Sequence, residues 1–297
     1  MTCISRKRHG RGYAFYYSNG TRVSDPNLIK RLSAIGVPPT YTNTCFSRNP
    51  RAKVQATAKD ANGKTQYWYH SQFVQKNKTK KFDRMLRFGE DLPRIRSAVK
   101  HMLQSSNADI RADAMALQLM DKCYFRPGNR KYTKKNGSYG ATTLSKRHIT
   151  FTPKHVHISF PGKSGVQNTC TVHDRSLRKA LRKNITKIRG SSPVALNMFL
   201  APYTSKDLRT WGANALFIKN LRRSGIAAGG RSRLTKAIQA TANALGNTPS
   251  VCKKHYIDPR LIEMYKEDSE SLLANIHNSR KITGLSRSES ALLHILL

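Results

Sequence analysis

The chain has 297 residues, enough for one large domain or two ordinary ones, and carries 54 Lys and Arg against 16 Asp and Glu, a formal net charge of +38. Charge of one sign at this density repels itself in a folded protein and is relieved by a polyanion, so nucleic acid is the expected partner, through phosphate neutralisation and counterion release. The five cysteines, Cys3, Cys45, Cys123, Cys170 and Cys252, are odd in number and lack a CxxC pair, which argues against a disulfide framework or zinc site, and no apolar run reaches membrane-spanning length.

The charge is distributed, not confined to a tail. Residues 1–80 hold 15 Lys and Arg against 2 Asp and Glu, and the remainder holds 39 against 14. Apolar periodicity runs between the charges in both parts, which weakens the reading of a packaging protein with disordered basic arms. No single amphipathic basic helix suggests an anionic-membrane binder. The basic N-terminus lacks the apolar core of a signal peptide, and reduced thiols suit an intracellular protein.

In chain order, Tyr13–Tyr17 reads as a strand closed by the turn Ser18-Asn19-Gly20. Leu28–Ile35 suits a short helix, ended by Val37-Pro38-Pro39. Lys53–Thr57 alternates as a strand, Asp60-Ala61-Asn62-Gly63 reads as a hairpin turn, and Gln66–His70 is the returning strand. The polar and basic stretch Lys76–Lys81 suits a linker. Beyond it Pro93 is placed to open a helix running to about Leu103. Ile110, Ala114, Leu117, Met120 and Tyr124 recur as one helical face. Three short strands are expected at His148–Thr152, His155–Phe160 and Asn168–His173. Thr204-x-x-Asp207 starts a helix whose buried stripe is Leu208, Trp211, Ala215 and Ile218. Leu234, Ile238, Thr241 and Leu245 form another, stopped by Gly246. Pro249 and Pro259 bracket a short helix carrying Tyr256, and a final helix near Ser288–Leu297 docks on the core. The fold class is α+β, with a β-rich part over 1–80 and a larger, mainly helical part with a small antiparallel sheet over 81–297.

Several chemistries drop out. Gly162-Lys163-Ser164 looks like the end of a phosphate-binding loop, but the earlier glycine it requires would sit at His157. ATP use is therefore not indicated. Glu267-Asp268-Ser269-Glu270 reads as an exposed acidic helix start. Two-metal chemistry needs convergent carboxylates, and this chain has few. His155 and His157 share one strand face and read as solvent or core residues. No metal and no cofactor are expected. What remains is phosphate chemistry without metal: cations to hold the pentavalent phosphorus, a tyrosine nucleophile, and an acid for the leaving oxygen.

Ordered motifs make this specific. Arg8-His9-Gly10-Arg11-Gly12-Tyr13, Lys53-Val54-Gln55-Ala56-Thr57 with Asp60 and Gly63, Gln66-Tyr67-Trp68-Tyr69-His70, Asn136–Leu144, Leu245-Gly246-Asn247-Thr248-Pro249 and Tyr256-Ile257-Asp258-Pro259 follow one another along the chain. In order and spacing the chain resembles the type IB topoisomerases, in their poxvirus-like and bacterial branch, over nearly its whole length. The resemblance implies the catalytic fold shared with tyrosine recombinases, an N-terminal DNA-binding domain over 1–80 and a catalytic domain over 81–297. It implies relaxation of supercoiled double-stranded DNA through a 3′-phosphotyrosyl intermediate, by a monomer, without ATP or metal.

By the same resemblance Tyr256 is the nucleophile, Arg126 and Arg209 hold the phosphate oxygens, and Lys163 protonates the leaving 5′ oxygen. Asn247 stands where poxvirus members carry histidine, as in the bacterial branch. Gln66, Tyr67 and Tyr69 are expected at the DNA, with Tyr132 and Lys206 as phosphate or sugar contacts. Asn129 replaces a lysine that reads bases in poxvirus members. Taken singly, an arginine or lysine in so basic a chain is ordinarily surface charge, and a tyrosine in an amphipathic helix, such as Tyr265, is ordinarily core. Localisation would be cytoplasm or nucleoid in a bacterium, virion or viral factory in a virus. The nearest rival is a tyrosine recombinase, which usually has histidine three residues before its second arginine, where this chain has Lys206. A rival of another class is a non-catalytic basic DNA-packaging protein.

Overall fold

Five strands form the first sheet: β1 (Cys3–His9), β2 (Gly12–Tyr16), β3 (Thr42–Ser47), β4 (Val54–Lys59) and β5 (Thr65–Tyr69). Their order is β2-β1-β3-β4-β5, and neighbours pair antiparallel. The computed structural model describes residues 3–223 and 230–297, and the chain divides into two compact units, Met1–Phe82 and Asp83–Leu297. Helix α1 (Pro26–Ala34) begins with Asp25, whose carboxylate accepts from the backbone of Asn27 and Leu28, and with a proline in its first turn. Ile4, Phe15, Val23, Leu32, Val37, Phe46, Ala56 and Ala58 make the core of this unit, with Phe15 and Phe46 edge to face at 5.3 Å.

The β4–β5 hairpin forms as the Asn-Gly cue requires. Gly63 takes a positive φ of 72°, and the Asp60 carboxylate accepts from the backbone N–H groups of Asn62 and Lys64. Strands β1 and β3 were not expected. Residues 5–9 of β1 are polar or charged and largely exposed, so an apolar-alternation rule passes over them.

The second unit is mainly helical. Helix α2 (Ser71–Met102) is followed by α3 (Ala108–Cys123), α4 (Arg130–Asn136), a second antiparallel sheet of β6 (Ile149–Phe151), β7 (Val156–Pro161) and β8 (Gln167–Val172), then α5 (Arg175–Asn184) and α6 (Pro193–Leu200). Next come α7 (Ser205–Arg223), α8 (Gly230–Ala244), α9 (Pro249–His255), α10 (Pro259–Glu267), α11 (Ser269–Asn278) and α12 (Arg287–Leu296). Helices α3 and α7 form the centre. Ala114, Leu117 and Met120 on the first, and Leu208, Trp211, Ala215 and Ile218 on the second, are all buried as the spacing predicts. Helix α12 opens with a reciprocal cap between Ser286 and Glu289, and Arg96 grips Glu289 and Asp121 together at 2.7 and 2.8 Å.

Four expectations are corrected. Residues 76–81 are not a linker: they lie inside α2, because Lys, Asn and Thr tolerate a helix whose exposed turns need no apolar stripe. Pro93 does not open a helix but sits within α2. An interior proline costs about 3 kcal/mol; here its ring packs closely against Gly284, where a Cβ would lie 2.6 Å from it. The cysteines do pair. Cys3–Cys45 and Cys123–Cys170 are disulfides with Cα–Cα separations of 5.2 and 5.7 Å, leaving Cys252 free and buried. Sequence separations of 42 and 47 carry no spacing cue; the folded strands and helix supply the proximity. Finally, Ile110 in the first turn of α3 is exposed, and Leu234 is only partly buried, because helix ends project beyond the core.

Candidate active site

Helix α7 starts on a buried carboxylate. Asp207 accepts from the backbone N–H and hydroxyl of Thr204 at 2.9 Å each, and from Arg84 at 2.7 Å. This fixes the first turn and sets Arg209 on the inner face, only 3% exposed. The Arg209 guanidinium donates to the carbonyl oxygens of Tyr124 and Leu245 and lies over the Tyr256 ring, 5.3 Å from its centroid. Burial, and after it the neighbouring charge of Arg126, pushes Arg209 down to about 10, with Tyr256 opposing the shift. Arg209 thus stays cationic at neutral pH.

Arg126 follows the left-handed turn at Tyr124 and the buried Phe125, whose ring meets Phe160 edge to face at 4.7 Å. Its backbone is held by the 136–144 loop: Ala141 N–H donates to the Arg126 carbonyl at 2.9 Å. A Cβ on Gly140 would lie 2.5 Å from that same oxygen, so glycine is required for this approach. The Arg126 Nη2 donates to Asn247 Oδ1 at 2.9 Å.

Asn247 lies beyond α8, after Gly246 at φ 58°, and its N–H closes on Ala242 at 2.9 Å. With Oδ1 committed to Arg126, the buried Nδ2 has no hydrogen-bond partner. A buried amide donor left unsatisfied is costly, and it suits an oxygen acceptor of a ligand.

Tyr256 sits just past α9, not within it, as the C-terminal cap at φ −123°, ψ −42°. Asn214, 2% exposed on α7, clamps the chain here: its Nδ2 donates to the Tyr256 carbonyl at 3.0 Å, and its Oδ1 accepts from Asp258 N–H at 2.7 Å. Burial alone would raise the phenol, but the charges and hydrogen bonds of Arg209 and Arg126 outweigh it and hold Tyr256 below the ordinary phenol range. That is the condition for a phenolate nucleophile.

Arg126, Arg209, Asn247 and Tyr256 are therefore one cluster. Lys163 is exposed on the tight turn between β7 and β8, where Ser164 and Gly165 take φ of 62° and 72°. The turn packs beside the cluster: Val166 and Asn168 would lie 3.4 and 3.2 Å from a Cβ on Gly246. Asn129 caps α4, its side chain accepting from Lys131 N–H at 2.8 Å, while Tyr132 on α4 and Lys206 on α7 are exposed. In the first unit Tyr67 and Tyr69 are exposed and stacked, centroids 6.2 Å apart. Gln66 is tied to Asp60 by its Nε2 at 2.8 Å. The sequence reading missed Asn214 and the carbonyl of Tyr124. An asparagine amid the apolar stretch of α7 was the available cue, since a buried polar group demands partners. Among the described residues no helix is long and apolar enough to cross a membrane.

Residues 70–283 match the family described as eukaryotic DNA topoisomerase I, catalytic core. Residues 12–60 match bacterial DNA topoisomerase IB, N-terminal domain. The chain is 26% identical to DNA topoisomerase 1B of Acanthamoeba polyphaga mimivirus, over 91% of this chain and 89% of that protein. It is 28% identical to DNA topoisomerase 1B of Vaccinia virus (strain Copenhagen) and to DNA topoisomerase I of Monkeypox virus, each over 86% of this chain and 90% of the relative.

Proposed function

We propose, from the premise that this chain belongs to the type IB DNA topoisomerase family, that the cluster around Tyr256 is its strand-transfer site and that it acts on double-stranded DNA as a monomer. The observation that carries this reading is the convergence of Arg126, Arg209 and Asn247 with a phenol whose acidity those arginines enhance.

In the forward step the Tyr256 phenol gives up its proton to solvent and its Oη bonds to the scissile phosphorus. The bond from phosphorus to the 5′ oxygen breaks, and Lys163 supplies the proton that converts the departing oxygen to a hydroxyl. Arg126 and Arg209 hold the non-bridging oxygens as their charge grows. A planar guanidinium fork suits this because it spans two acceptors and stays charged. The Nδ2 of Asn247 adds a neutral donor. One phosphodiester replaces another, so the 5′ hydroxyl can reverse the reaction with tyrosinate as leaving group and without nucleotide fuel. Between the two steps the free end turns and stored torsion is released.

Residues 1–80 and 81–297 take the roles of DNA-binding and catalytic domain. Exposed Tyr67 and Tyr69, with Gln66, Asn129, Tyr132 and Lys206, supply contacts to bases, sugars and phosphates, and the protein works inside a cell or a virus particle. The test is plasmid relaxation in EDTA without ATP. Relaxed topoisomers at a rate linear in protein concentration, with a covalent adduct trapped on a denaturing gel and its 3′ linkage mapped to Tyr256, support the reading. A mobility shift without relaxation overturns it. Lys163→Ala should be rescued by a 5′-thio leaving group, which needs no proton; no rescue removes lysine as the acid.

A further inference from the structure

The end of α3 is unusual in chemistry as well as shape. Tyr124 takes a left-handed backbone, φ 57° and ψ 24°, which side chains adopt rarely and which glycine usually provides at a helix end. A tyrosine holds that position only if its surroundings select the conformation. The packing of its ring does so. The Cδ1–Cε1 edge of its ring abuts Gly212, where a Cβ would come within 2.4 Å of Cδ1 and 2.5 Å of Cε1. Its phenol is buried within the field of the Arg96, Asp121 and Glu289 charges; burial, then Glu289 and Asp121, push it up to about 12, Arg96 opposing, so it stays neutral and adds no charge near the arginines. Glu289 also accepts from the indole of Trp211 at 3.2 Å, on the helix that carries Arg209. The turn then delivers two things. The Tyr124 carbonyl is aimed at Arg209, which donates to it, and Arg126 follows two residues later.

We propose that Tyr124 is a positioning residue for strand cleavage: its ring, seated on Gly212, selects the turn whose carbonyl orients Arg209 and whose exit places Arg126. This deepens the reading of Tyr256 as nucleophile and rests on it. The structural consequence is specific. If the ring is lost, the turn relaxes, Arg209 loses one of its two carbonyl anchors, and the arginines no longer bear on the Tyr256 phenol together.

The experiment is single-turnover cleavage of a duplex suicide substrate across pH, with duplex affinity measured alongside. Tyr124→Ala should slow cleavage by about a hundredfold, the scale of a small misplacement of catalytic groups. Duplex affinity should stay within about threefold, and the pH midpoint of the rate should move alkaline. Tyr124→Phe keeps the ring and should match wild type in rate and midpoint. If Tyr124→Ala fails to fold, Tyr124→Leu, which keeps a buried apolar side chain but no ring, should show the same alkaline shift. A folded Ala or Leu variant with the wild-type pH midpoint overturns the proposal, as does an equal alkaline shift in Tyr124→Phe. Tyr256→Phe is run in parallel: adduct formation there sinks the nucleophile assignment itself, whereas an inactive Tyr256→Phe with an unshifted Tyr124→Ala sinks only the positioning role.

Discussion

The aromatic face of β5 and the cationic cluster around Tyr256 are built by opposite physical means. On β5, Tyr67 and Tyr69 stand in solvent and stack on each other. In the cluster, Arg209 is buried, anchored to two backbone carbonyls and shared with a phenol. Exposed groups in water contribute by many small, separable contacts. Buried charges act at low dielectric, where each one matters and none can be exchanged cheaply. Affinity should therefore be divisible, while chemistry should not.

The sharpest break of that contrast is Tyr256→Phe, which removes one oxygen. We expect no covalent adduct on a denaturing gel, with duplex affinity by filter binding within about threefold of wild type. Arg209→Lys comes next. An ammonium keeps the charge but cannot span Tyr124, Leu245 and the phenol together, so cleavage should fall on the order of a hundred- to a thousandfold, read by rapid quench. Arg126→Ala probes the electrostatics. Phenolate is the reactive form, so the rate rises with pH until the phenol is ionised and then levels off. With one of the two lowering cations gone, the midpoint should move up in pH. Asn247→Ala deletes a neutral donor and should cost about tenfold, or ~1.4 kcal/mol of barrier, in the same assay. The mildest change is Tyr67→Ala combined with Tyr69→Ala. It should weaken duplex binding by roughly tenfold and leave cleavage at saturating protein unaltered; a collapse of the saturated rate would erase the distinction between the two regions.

What could be read from the chain follows the range of the underlying forces. The β4–β5 hairpin is written locally in Asp60 to Gly63, and the buried stripe of α7 in the spacing of Leu208, Trp211, Ala215 and Ile218. Continuity of α2 through residues 76–81 was hidden because an exposed, charged helical segment carries no apolar pattern. Strand β1 was hidden for the same reason, its edge-on pairing with β2 and β3 being a backbone property. The disulfides, the clamp of Asn214 on the Tyr256 backbone, and the carbonyl of Tyr124 under Arg209 join residues 42 to 85 positions apart. Such partners are set by tertiary packing and leave no spacing to read. Arg126, Lys163, Arg209, Asn247 and Tyr256 could be singled out only as an ordered set, since each alone looks like surface charge or core.

The carboxamide at position 247 has a consequence for the medium in which the enzyme can operate. An imidazole in that place would gain and lose a proton between about pH 5 and 8, and the hold on the phosphorus would tighten and slacken with it. A carboxamide has no such titration. Its Nδ2, buried without a hydrogen-bond partner, offers the same hydrogen in mildly acidic and in neutral surroundings, so whatever oxygen it meets there is held by a contact that acidification leaves constant.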